Sequence, residues 1–155
     1  MSDQKDNVLK GKLIEEIHDS ICLIHQTVTS YHLPENFNYE PLIDMAIRNA
    51  INYDNLLDMG ASLMLDLCKE QAFLDGNKRT AFVTGLVYSI NHFHVVDTPL
   101  HNKLLDFISH IANSFEHPKE EDTTVKFVLE TAMGKNDREK VKHFLAELVA
   151  KHFNR

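Results

Sequence analysis

Apolar positions along the chain recur at spacings of three and four, the period of an amphipathic helix. Leu13, Ile14, Ile17, Ile21, Ile24 and Val28 predict a first helix over residues 9–28. The stretch "SYHLPENFNYEP" (30–41) holds prolines and asparagines and reads as loop, with Pro41 suited to the first turn of a second helix running to about Ile51. Asn55 can cap a third helix, Leu56 to about Ala72, whose apolar residues cover most of its circumference and so call for a central position. A fourth, Lys78 to Phe93, is also mostly apolar. "HFHVVDTP" (92–99) reads as a short extended piece, and Pro99 opens a fifth helix from Leu100 to about Ser114. After a solvated loop, "EHPKEED" (116–122), Thr123 or Thr124 begins a sixth helix ending near Gly134. Asn136 or Asp137 caps a last helix that carries Val141, Phe144, Leu145, Leu148 and Val149 on one face. The expected fold class is all-α, a compact bundle of about seven helices, and 155 residues suit one domain over 1–155.

Composition narrows the function classes. A net charge of −7, with no basic run longer than the one around Lys78 and Arg79, argues against nucleic acid as a partner, which needs a cationic stripe. The N-terminus is polar and no run of about 18 apolar residues occurs, so a cytoplasmic protein with no membrane partner is expected. Cys22 and Cys68 form no CxxC pair and read as small apolar residues. His92 and His94 offer an H-x-H spacing and His18 and His25 a helical one, yet nothing in the pattern marks a third convergent ligand.

The two central helices flank one polar turn, "KEQAFLDGNKRTAF" (69–82). A helix starting after a glycine-containing turn presents unpaired N–H groups and the positive end of its dipole, which favour an anion such as phosphate. Gly76 permits close backbone approach, Asn77 and Arg79 can add hydrogen bonds, and Asp75 is an oxygen ligand suited to magnesium bridging phosphates. D-G-N is also ordinary turn chemistry, and Lys-Arg is often a solvated pair, so the residue types alone leave both readings open.

The order of residues goes further. "QAFLDGNKRTAF" resembles the active-site motif of the Fic/Doc family, H-x-F-x-D/E-G/A-N-G/K-R, matching it at Phe73, Asp75, Gly76, Asn77, Lys78 and Arg79. Lys78 followed by Thr80-Ala81 is similar to the Doc branch, the death-on-curing toxins. Fic adenylyltransferases have glycine at the Lys78 position and a second arginine where Phe82 stands. "LIEEIHDSI" in the first helix is also similar to the Doc branch, and the resemblance extends over about 9–133, with an additional C-terminal helix over about 137–153. It implies that Phe73 is a structural anchor, Asp75 holds Mg2+, Gly76 and Asn77 build an anion hole, and Lys78 and Arg79 contact the phosphates of ATP. It further implies transfer of the terminal phosphate of ATP to a threonine of elongation factor Tu, and an antitoxin protein as partner.

One position departs from the motif. Gln71 stands where the family has the histidine that removes a proton from the target hydroxyl. An amide cannot accept that proton, so catalysis should fall about 10²- to 10⁴-fold while phosphate binding survives. A natural pseudoenzyme, an enzyme with another base and an introduced substitution all remain open. So do transfer of AMP in the Fic manner and a binding-only member of the family. The last helix could finish the core or lie in the groove where Doc antitoxins insert a helix. No S/T-x-x-x-E-G/N inhibitory motif is present. His18-Asp19 hints at a helical HD phosphohydrolase, a class that requires a histidine upstream of His18 where none exists.

Overall fold

Helix formation follows the apolar spacing closely enough that seven helices appear in chain order, and no strand occurs among the described residues. The computed structural model describes residues 2–29, 40–73, 75–116 and 122–154. Most of both predicted loops, 30–39 and 117–121, lies outside the described residues. The helices are α1 (Ser2–Thr29), α2 (Glu40–Ala50), α3 (Leu56–Lys69), α4 (Asn77–Phe93), α5 (Thr98–Glu116), α6 (Thr123–Ala132) and α7 (Arg138–His152).

Local chemistry sets the boundaries. Asn55 Oδ1 accepts from the Asp58 N–H at 2.8 Å and starts α3. Asp97 does the same for Leu100 in α5, and Asp137 for Lys140 in α7. Asn136, the other candidate cap of α7, instead donates to the Thr131 hydroxyl at 2.9 Å. Gly134, at φ 81°, ends α6 with the Lys135 N–H closing on the Glu130 carbonyl and its own N–H on Thr131, the Schellman pattern.

Two boundaries differ by three residues or more from the sequence expectation. α1 begins at Ser2 rather than residue 9, because spacing marks only the part of a helix with a buried face, and Asn7 to Lys12 are exposed. α3 stops at Lys69 rather than Ala72: Glu70 turns extended while its N–H closes on the Asp66 carbonyl. Ala72 is buried all the same, as is Phe73 after it, so Ala72 looks helical by hydrophobicity while belonging to a loop. The piece at 94–97 is irregular and largely exposed.

α3 and α4 form the centre. At their crossing, a Cβ on Gly85 would lie 2.9 Å from Met64 Cβ, and one on Gly60 would lie 2.9 Å from Tyr88 Cβ, so only glycine permits this backbone approach. α2 packs on α3, α1 on α4, and α6 touches both central helices. α7 packs on both as well, burying Val141, Leu145 and Val149, so the last helix finishes the core. Its N-terminal end is pinned to α3 by Asp58, which accepts from Arg138 and from Lys142 (3.1 Å), while the Arg138 guanidinium lies 4.4 Å over the Tyr53 ring. No helix among the described residues is long and apolar enough to cross a membrane. The connection between α3 and α4 is thus held at the end of the most buried pair in the molecule.

Candidate functional site

That connection is the polar turn. Its inward side is built by Phe73, which is 4% exposed, and by Asn77, whose carboxamide turns back on the loop. The Phe73 N–H donates to Asn77 Oδ1 at 3.0 Å, and Asn77 Nδ2 donates to the Phe73 carbonyl at 2.9 Å. The side chain of Asn77 therefore closes the loop instead of reaching outward, and what it can offer an anion is its backbone N–H. Gly76 precedes the helix in the left-handed region, φ 78° and ψ 20°, and as the N-cap of α4 it supplies no side-chain hydrogen bond to the first turn.

The outward side is a pocket of about 570 Å³ lined by Gln71, Asp75, Gly76, Asn77, Lys78 and Arg79, with Phe115 of α5 and Leu129 of α6 opposite. Gln71, Asp75 and Lys78 are exposed there. Arg79 is mostly buried, donating to the Val28 carbonyl at 3.3 Å and standing 3.7 Å from Asp75 Oδ2. Of the candidate site residues of the turn, Gln71, Asp75, Gly76, Asn77, Lys78 and Arg79 border this pocket, and buried Phe73 does not.

Sequence reasoning missed the contribution of α1. His25, 3% exposed, stacks on the Phe73 ring with centroids 4.0 Å apart and planes 9° from parallel. Its Nε2 lies 2.8 Å from the Asp75 carbonyl oxygen. Burial is the main cause holding the imidazole below its ordinary pKa, although the hydrogen bond to Asp75 works the other way. Thr29, one turn on, occupies the space behind Gly76, where a Cβ would come 2.3 Å from Thr29 Cγ2. The signal was present in the spacing: His25 continues the buried stripe of Ile17 and Ile21. Phe115 and Leu129 gave no signal, since their neighbourhood to the turn is entirely tertiary.

The other histidine candidates do not converge. His18 pairs with Glu40 of α2 and lies 3.8 Å from Asp19, and the His92 ring sits edge-on to Phe93. Among the described residues no group of three metal-ligating side chains forms. Cys22 Sγ lies 3.9 Å from His18 Nδ1, and burial above all raises the thiols of Cys22 and Cys68 to about 11 and about 12.

One carboxylate, two cations and the open first turn of a helix around a pocket of this size can hold a polyphosphate with a divalent cation. The sequence profile of the Fic/DOC family matches residues 9–89, from α1 through most of α4 and including the whole turn. Comparison with curated proteins and with solved structures returns no match.

Proposed function

The chain belongs to the Fic/DOC family, a membership that suggests transferase-type activity on proteins, and from that premise we propose a Doc-type toxin scaffold that takes ATP and Mg2+. The reaction is transfer of the terminal phosphate of ATP to a protein hydroxyl, by resemblance a threonine of elongation factor Tu. The observation that carries this reading is the convergence of Asp75, Lys78, Arg79 and the open start of α4 on one pocket with Gln71 at its rim.

The residues fit such a ligand. Asp75 is exposed and would hold the magnesium ion, which supplies charge neutralisation across phosphate oxygens when bound. Lys78 and Arg79 bring positive charge to the phosphates, and Arg79 is braced by the Val28 carbonyl. The N–H groups of Gly76, Asn77 and Lys78 orient and stabilise negative charge at the helix start. Gln71 can hold the target hydroxyl by a hydrogen bond but cannot take its proton. His25 is no substitute base, because its Nε2 is committed to the Asp75 carbonyl and the ring is buried.

Two features support the phosphate-transfer direction over AMP transfer. Lys78 stands where adenylyltransferases have glycine. Phe82, where they have a second arginine, is fully buried against the rings of Phe107, Phe115 and Phe144 and brings no charge to the pocket. Gln71 equally favours a binding-only member of the family, one that holds nucleotide or an antitoxin without turnover. α7 belongs to the core, so an antitoxin would have to dock elsewhere.

Label transfer from ATP carrying distinct α and γ labels, with elongation factor Tu as acceptor, tests the proposal. Gln71→His should move γ label and the parent chain little. Movement of α label would make the scaffold an adenylyltransferase. Binding of ATP with no transfer by either chain would leave the binding-only reading.

A further inference from the structure

We infer that His25 is a positioning residue that locks the Asp75–Gly76 peptide with its N–H, and not its carbonyl, turned toward the pocket. The inference rests on the functional reading above for the identity of the ligand, but its structural core stands on three observations of α1. The first is direction. A carbonyl oxygen only accepts, so the 2.8 Å contact requires the hydrogen of the imidazole on Nε2 and draws the Asp75 carbonyl inward to α1. The peptide is trans, with its N–H opposed to its C=O, so the Gly76 N–H points away from α1, and Gly76 borders the pocket on the other side.

The second observation is that the imidazole cannot swing away. It is stacked on Phe73 and almost wholly buried, and Phe73 is itself held at both backbone groups by Asn77. One ring thus touches both ends of the Phe73–Asp75 stretch. The third is that the turn needs a lock. Glycine at 76 populates positive and negative φ with similar ease, so rotation of this peptide by half a turn, carrying Gly76 φ from 78° to negative values, meets little intrinsic resistance. The rotated peptide would aim a carbonyl oxygen at the pocket and repel the anion that the N–H attracts. His25 therefore selects an anionic ligand without touching it.

The tautomer, the sign of φ at Gly76 and ATP affinity are separate readouts. In the parent chain, imidazole ¹⁵N shifts should show the hydrogen on Nε2, and scalar couplings should show positive φ at Gly76. A hydrogen on Nδ1 alone would overturn the lock without any variant. His25→Phe keeps a ring on Phe73 and removes the donor. It should populate negative φ at Gly76 and bind ATP about tenfold more weakly by calorimetry, the share of one hydrogen bond to a charged group. His25→Gln, which restores an N–H, should recover part of both. If His25→Phe keeps positive φ and the parent's affinity, the lock is refuted while the nucleotide site stands. If the parent shows positive φ yet binds no ATP, the functional reading fails and takes the anion-selecting role of His25 with it.

Discussion

Phe73 and Asn77 exchange two hydrogen bonds, backbone to carboxamide in both directions, and so close the loop between the two central helices. The arrangement requires one acceptor and one donor on the same side chain. Asn77→Asp keeps the acceptor and places a second oxygen against the Phe73 carbonyl. It should lower stability by about 1–3 kcal/mol, read as a fall in the urea midpoint at unchanged slope. ATP affinity should fall with it, and an unchanged midpoint would mean that the loop does not depend on this pair.

Gly76→Ala combines two costs that a second substitution can separate. Alanine is strained at φ 78°, and its Cβ would lie 2.3 Å from Thr29 Cγ2. Thr29→Ser removes that methyl while keeping the hydroxyl that donates to the His25 carbonyl at 2.6 Å. The double variant should therefore recover the steric part and retain the backbone part, about 1 kcal/mol. Strict additivity in a thermodynamic cycle would show that the methyl contact contributes nothing.

Stability should depend on acid through Asp58. Burial disfavours its charge, but hydrogen bonds from Asn55, Lys142 and Arg138 outweigh that and hold the carboxyl below its ordinary value of 3.8. A folded-state value below the unfolded one contributes stability that is complete above the unfolded value and is lost as pH falls through the folded one. Asp58→Asn should thus cost about 2 kcal/mol at pH 7, and the gap from the parent should begin to narrow as pH falls below about 4. Chemical denaturation across pH 3–7 measures it, and a gap that does not narrow toward the acid end would contradict the assignment.

Restoring a base at position 71 should act on rate and not on binding. Gln71→His is expected to raise transfer about 10²- to 10⁴-fold with ATP affinity unchanged within a few-fold. In that background Lys78→Gly should weaken transfer of the terminal phosphate. Single-turnover transfer assays beside calorimetry separate the two effects.

The helices were legible because their buried faces write a period into the chain, and the caps Asn55 and Asp137 because their chemistry is local. The candidate site was legible as a contiguous run for the same reason: 71–79 is one turn, and its residues need no folding to be neighbours in sequence. What could not be read is whatever reaches that turn from elsewhere. Ala72 lies in a buried loop that hydrophobicity alone renders as helix. The outward look of Asn77 as a polar residue concealed an inward task, since its partners are backbone groups that every residue possesses. His25, Phe115 and Leu129 join the turn only through the packing of α1, α5 and α6, and no spacing rule encodes that.

The docking of α7 on the central pair also bears on how the protein is made. The turn and both helices that carry it are translated before Arg138–His152, yet Val141, Leu145 and Val149 are what cover the flank of α3 and α4. A ribosome-bound chain that already holds the whole turn therefore still bares an adhesive apolar flank, and the turn lacks a rigid base until α7 emerges. For a chain proposed to act on the translation machinery, competence is deferred until the synthesis that could be harmed by it has passed the point of completing the core.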